Sequence, residues 1–309
     1  MKPTEREILR RLQKARDAYL NQDYPKALQE YHWVAEQIQD DPDNLPIIWI
    51  EIGWSYYYNK DYRKSIEYLQ RAIDSGKLQE QQTYDCLRLI GFAYGSLQEF
   101  EKALDYLNRA CEFSVRESDK RYIYFELGKI YFLQGNLKKA EPHLQKAWKL
   151  FRIEERDYKL ALAYYLGFVH FFNRDFVEAR KHFNRIVQMG EINKERAPGY
   201  FGLAHLAYEE KNYPLLIDLC EKVVQLDPDF YDKETLAYFL CTGFMHLRMW
   251  EALADFFQEI KENYPNGRYR ISYPVFEKAL RTHQIPEPEG SNCHKKNGNS
   301  GEKSHEPPI

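Results

Sequence analysis

No run of eighteen or more apolar residues occurs anywhere in the 309-residue sequence, so nothing in it reads as a membrane-spanning helix. The N-terminal stretch MKPTEREILRRLQKARDAYL is charged throughout and lacks the apolar centre of a signal peptide. A cytoplasmic protein without membrane partners is the expectation. Cysteine is scarce too: Cys86, Cys111, Cys220, Cys241 and Cys293 are odd in number, widely spaced and never in a CxxC, which excludes a disulfide framework and a cysteine zinc site. The first four are expected to fill helical cores. An excess of charge of one sign is also missing, since 44 Lys and Arg stand against 47 Asp and Glu for a net charge of -3. No global basic field recommends nucleic acid as a partner. P-loop, GxGxxG and GxSxG motifs are absent, and the nine histidines are scattered. His170, His205 and His246 recur at similar places along the chain, but at helix-packing distances of roughly 10 Å they stand too far apart to share one metal ion. Cys293, His294 and His305 lie in a polar tail with no preformed geometry. No catalytic residue, metal or cofactor is therefore expected, and the chain reads as a non-enzyme.

What is present is aromatic: 25 Tyr and 18 Phe, with no valine-rich or alternating runs to mark strands, which points to an all-α fold. Glycine is uncommon, at 15 residues, yet four glycines recur at a fixed step. The segments WIEIGWSYYYNKDYRKSIEYLQRAI, LRLIGFAYGSLQEFEKALDYLNRAC, YFELGKIYFLQGNLKKAEPHLQKAW and AYYLGFVHFFNRDFVEARKHFNRIV superpose Gly53, Gly91, Gly128 and Gly167. Nine residues after each stands Tyr62, Phe100, Leu137 or Phe176, and three further on Ser65, Ala103, Ala140 or Ala179. Ala15, Tyr24 and Ala27 keep the same offsets, as do Ala204, Tyr213 and Leu216, then Cys241, Trp250 and Leu253. Seven units follow, stepping by 37 to 39 residues while the internal offsets never vary.

These residues resemble the tetratricopeptide repeat, in a bacterial-type solenoid of extended period; Trp49, Gly53, Tyr56, Tyr62 and Ala72 show the pattern, as do Tyr124, Leu127, Gly128, Tyr131, Gly135, Ala140 and Ala147. The resemblance implies a right-handed α-solenoid of about seven helix-turn-helix repeats, with the first helix of each pair lining a concave face. The repeats are placed at about 4–42, 45–78, 80–115, 117–153, 156–190, 194–229 and 231–266, followed by a capping helix at about 272–283; the polar segment 284–309 is expected to be disordered. The glycines are read as permitting close helix crossings. Asp23, Asp61, Asn136, Asp175 and Asn212 are read as N-caps of the second helices, with Asp175 and Glu178 as a capping-box pair. The step exceeds the usual 34 residues by about one helical turn, which suggests helices lengthened by a turn. Pro142 is expected to kink its helix or delay its start.

Side chains one, four and five residues after the small position, and three and six before it, should point into the concave face. They are Trp54, Tyr57 and Tyr58; Arg88 and Phe92; Tyr122, Phe125, Lys129 and Phe132; Tyr164, Phe168, Phe171 and Phe172; Phe201, His205 and Tyr208; and Tyr238 with His246. Family members that clamp a C-terminal carboxylate use Lys and Asn there, whereas Arg16, Trp54, Phe92, Lys129, Phe168, His205 and Thr242 stand at the position after the small residue. The expectation is instead an adaptor or scaffold that grips an apolar peptide or helix of a protein partner, with Arg88 and Lys129 meeting an acidic residue of it. Two alternatives stay open: a regulatory sensor of a short peptide, and an RNA-binding helical repeat that stacks bases on these rings.

Overall fold

The computed structural model describes residues 3–113 and 116–286. Among them every long element is an α-helix, and the helices alternate in antiparallel pairs: α1 (Glu5–Leu20) with α2 (Tyr24–Gln37), α3 (Leu45–Tyr58) with α4 (Tyr62–Asp74), α5 (Glu80–Ser96) with α6 (Phe100–Cys111). After α7 (Arg121–Leu133) and α8 (Leu137–Leu150) come the pairs α9 (Arg156–Phe172) with α10 (Phe176–Met189), α11 (Asn193–Glu209) with α12 (Tyr213–Leu226), and α13 (Lys233–His246) with α14 (Trp250–Asn263); α15 (Tyr273–Thr282) is last. This is an all-α helical-repeat solenoid fold. The chain divides into two compact units between Tyr131 and Phe132, within the last turn of α7. The expected disordered segment falls almost wholly on residues 287–309, outside the described residues.

The turn inside each repeat is the most regular feature. Three residues always separate first helix from second, and the middle one always has positive φ: Gln22, Lys60, Gln98, Gly135, Arg174, Lys211 and Arg248, between 56° and 72°. In six turns the third residue donates its N–H to a carbonyl five residues back, as Asp61 does to Tyr56 at 2.9 Å, closing a Schellman motif. In five of the seven turns the third residue also caps the second helix through its side chain. Asp23, Asp61, Asn136, Asp175 and Asn212 accept from the backbone N–H three residues on at 3.2 to 3.4 Å. Glu178 ion-pairs with Lys181 rather than completing a box with Asp175, and the reciprocal box stands at Gln79 and Gln82, opening α5.

Helix crossings explain the glycines. A Cβ added to Gly53 would stand 2.6 Å from Leu69 Cγ, one added to Gly91 2.6 Å from Leu107 Cγ, and one added to Gly167 2.5 Å from Phe183 Cε1. No side chain fits at these points. The extra residues of the long period are distributed unevenly. First helices reach 16 or 17 residues in α1, α5, α9 and α11, whereas α3, α7 and α13 stay at 13 or 14. There the surplus lies in the connections, including a 3-10 turn at Glu117–Lys120. Pro142 does not delay α8, which begins at Leu137 with Asn136 as its cap. Cys86, Cys220 and Cys241 are buried and Cys111 half-buried, all as free thiols, while Cys293 lies outside the described residues. In α15, Tyr273, Phe276 and Ala279 are buried, and the first two rings pack on Phe257 with centroids 5.4 and 5.5 Å away.

Candidate functional site

In the first unit, the first helices bring a set of half-exposed rings together. Trp54 and Tyr58, one turn apart on α3, stack with centroids 6.0 Å apart, and Tyr58 stacks in turn on Tyr24 of α2 at 5.7 Å. Tyr19 of α1 meets both tyrosines edge-on, at 5.8 and 6.0 Å, and Tyr57 lies 5.4 Å from Tyr58 and 5.5 Å from Tyr62. Tyr58 is 45% exposed. Beside this group the Arg88 guanidinium sits 5.5 Å from the ring centroids of Trp54 and Phe92, 5.8 Å from Tyr84 and 5.9 Å from Tyr122. A cation held among four ring faces is electrostatically favoured. Five sequence-selected residues, Trp54, Tyr58, Arg88, Phe92 and Tyr122, thus share one neighbourhood on α3, α5 and α7.

The charges of this face are paired, although the Arg88 Nε is buried without a hydrogen-bond partner among the described residues. Arg88 Nη2 binds Asp85 Oδ1 at 3.0 Å and Lys129 Nζ binds Glu126 Oε2 at 2.7 Å. Glu126 is buried against Gly95. Burial raises the Tyr57 hydroxyl above its ordinary range, and the Glu126 carboxylate adds to the shift. Burial also raises the Glu51 carboxyl, with Arg16 working against it. Arg88 and Lys129 therefore do not stand ready for an acidic ligand in the way the sequence suggested. Phe125 is half-buried on α7.

The second unit uses its aromatics differently. Phe132, Phe168 and Phe201 are fully buried and Phe171 is only 9% exposed, so these four are interior residues and not groove lining. The reason is crowding: Phe168 packs on Phe183 at 5.0 Å, His205 at 5.3 Å, Phe172 at 6.1 Å and Phe201 at 6.3 Å. His205 is ringed edge-on by Phe168, Phe171, Phe201 and Phe239, and its buried Nε2 has no hydrogen-bond partner among the described residues. Burial lowers its pKa to about 3, helped by Arg268, so it is a neutral core imidazole. His246 stacks on Tyr213 at 4.1 Å. Tyr164 keeps a rim position through a hydroxyl contact to Tyr231, Tyr208 bonds Tyr238 at 2.9 Å, and Phe172 is half-buried. Among the described residues no three His, Cys, Asp or Glu side chains gather closely enough to hold a metal ion, and no helix is long and apolar enough to cross a membrane.

Sequence reasoning missed Tyr19, Glu126 and Tyr231. Tyr19 lies four residues after Ala15, so the spacing applied to the other helices finds it when extended to the first. Glu126 has no periodic signal, and Tyr231 precedes α13 in a connection that carries no repeat pattern.

Two matches to known families fall on this framework. Family models described as Tetratricopeptide repeat match residues 50–119 and 122–153, the chain around α3 to α8. Over these residues the chain carries tetratricopeptide repeats. Solved structures of similar fold include the apo form of RapI, with a TM-score of 0.67 and 12% identity over 89% of this chain and 82% of that one. The apo form of the quorum sensor NprR from B. thuringiensis gives 0.61 and 15% over 83% and 76%. A Rap protein complexed with Competence and Sporulation Factor gives 0.50 and 18% over 89% and 76%. A comparison with curated proteins gives no match. The chain therefore shares a fold with these proteins at identities too low to carry more than the fold.

Proposed function

We propose that the chain is a non-catalytic adaptor that captures a peptide segment of a protein partner on the aromatic face of its first unit. The observation that carries this is the run of partly exposed rings from Tyr19 and Tyr24 through Trp54 and Tyr58 to Phe92 and Tyr122. The second unit shows that the same fold can bury such rings completely, so leaving them accessible is not a requirement of the fold. Accessible aromatic clusters of this kind mark interaction sites, and a few desolvated anchors carry most of such an interface's energy. A second reading, a sensor whose ligand is a short regulatory peptide, is favoured by the likeness in fold to a quorum sensor and to a Rap protein solved with a bound factor.

Affinity capture from native lysate, followed by mass spectrometry and peptide mapping, tests the proposal. Trp54→Ala with Tyr58→Ala should weaken capture at least tenfold, at roughly 2 kcal/mol per anchor. A control set on α6, Glu101→Ala with Asp105→Ala and Asn108→Ala, should leave capture intact. If the doubly substituted α3 variant keeps its melting temperature and every partner while the α6 set loses them, binding belongs to the opposite face. Salt-sensitive retention of RNA by the wild type, lost in the α3 variant, would replace a peptide by a nucleic acid.

A further inference from the structure

The polar atoms of the aromatic face define its ligand more narrowly than the rings do. Tyr19, Tyr24, Trp54 and Tyr58 form one group with neighbouring centroids 5.7 to 6.0 Å apart, and Trp54, Tyr58 and Tyr24 lie near-parallel, with interplanar angles of 24° and 17°. Among the described residues no hydrogen-bond partner engages their three phenol hydroxyls or the indole N–H, and burial raises the Tyr19 and Tyr58 hydroxyls above the ordinary phenol range without sealing Tyr19 from solvent. The nearest charges are paired internally, Arg88 with Asp85 and Lys129 with Glu126, though the Arg88 Nε stays buried without a partner among the described residues. What remains is a cluster of partly exposed rings carrying four donors, three of them hydroxyls that can also accept.

The complementary ligand brings apolar rings and free carbonyl acceptors, and few N–H groups that would need partners in return. An α-helical segment fails this requirement, because its carbonyls are committed to its own i−4 ladder. An extended strand fits less well: it brings an N–H at every residue, more than three phenol oxygens can accept, and among the described residues there is no sheet edge to pair with it. A proline-rich segment meets each condition. Proline has no N–H, its polyproline II helix makes no internal hydrogen bonds, and its stiffness lowers the entropy cost of binding. We infer that Tyr19, Tyr24, Trp54 and Tyr58 form a receptor for a proline-rich segment in the polyproline II conformation, its carbonyls accepting from the hydroxyls and the indole. This inference rests on the reading of that face as the binding surface.

Titration calorimetry of the full chain with three probes tests it: an oligoproline peptide, a Gly-Ser peptide of equal length, and single-stranded oligouridylate. Oligoproline should bind, the Gly-Ser peptide and the oligouridylate should not, and Tyr24→Phe with Tyr58→Phe should weaken binding at least about tenfold, because two donors are removed while both rings stay. The indole N–H resonance of Trp54, assigned by its loss in Trp54→Phe, should shift on oligoproline addition and not otherwise. The near-isosteric variants are expected to melt with the wild type. Absence of oligoproline binding at about 1 mM overturns the inference, as does binding indifferent to the two hydroxyls; oligouridylate binding lost in Trp54→Ala assigns the rings to nucleic acid instead. If oligoproline fails while captured partners are still lost in the Trp54→Ala, Tyr58→Ala variant, the face is right and the ligand class wrong. If capture survives in that variant, the face itself is wrong.

Discussion

Gly202→Ala adds one methyl group to the interior of the second unit, where α9, α10 and α11 meet. The Phe183 ring, fully buried, extends from α10 toward glycines on both neighbouring helices: an added Cβ at Gly202 would stand 2.5 Å from Phe183 Cγ, and one at Gly167 2.5 Å from Phe183 Cε1. The same edge of the ring faces both glycines, and Phe168 lies 5.0 Å away on another side, so the ring has little room to retreat. Overpacking of this kind costs about 1–3 kcal/mol, and an overlap of more than an ångström with a rigid ring belongs at the top of that range. Replacing glycine inside a helix returns about 1 kcal/mol. A net loss of about 2 kcal/mol is expected, lowering the melting temperature of this unit by about 4–8 °C for its size. Circular dichroism melts of wild type, Gly202→Ala, Phe183→Leu and the double variant form the assay. In the Phe183→Leu background the alanine should become neutral or slightly stabilising, since the rigid edge it strikes is gone. A melting temperature unchanged by Gly202→Ala, or an equal loss in both backgrounds, would refute the account of glycine as a packing requirement in this fold.

Acid should weaken the second unit: burial lowers His182 to about 4 and His205 to about 3, so the unfolded chain binds protons that the native state refuses, and stability present above the ordinary histidine pKa of about 6.5 is lost as pH falls toward those values. Each contributes about 2 kcal/mol of loss by pH 5, and urea midpoints at pH 7.5 and 5 should differ accordingly, less so in His182→Gln; equal midpoints would count against burial of the neutral rings. His205→Phe removes a buried nitrogen without a partner and should raise the melting temperature by the equivalent of about 1 kcal/mol, whereas a fall would show that the imidazole is used. Lys60→Gly and Gln98→Gly relieve left-handed residues and should each stabilise by about 0.5 kcal/mol in chemical denaturation, and destabilisation would mean that their side chains hold the turn.

Much of the fold was legible because its signals are local. The constant offset of nine residues from Gly53 to Tyr62 reports a fixed turn, and a carboxylate or amide before the second helix reports a cap. The left-handed residue of that turn left no trace except at Gly135, since Gln22, Lys60, Gln98, Arg174, Lys211 and Arg248 are not residues that favour positive φ. Spacing along a helix gives the direction of a side chain but not what covers it. Trp54 and Phe168 occupy equivalent positions after Gly53 and Gly167, yet Trp54 stays half-exposed whereas Phe168 lies beneath Phe201 and His205. That difference is decided by residues of the following repeat, which no periodicity within one helix contains. For the same reason Phe132→Ala and Phe168→Ala would test stability and not recognition, and Trp54 and Tyr58 are the positions to probe.

The invariant three-residue turn also bears on how fast this chain folds. A helical hairpin closed by so short a connection pays little loop entropy, and its contacts join residues near one another in sequence. In each such hairpin the turn is specified within one period, without help from distant sequence. Structure can therefore begin at any of several hairpins and spread to neighbours, and the N-terminal ones can pair while later repeats are still being synthesised.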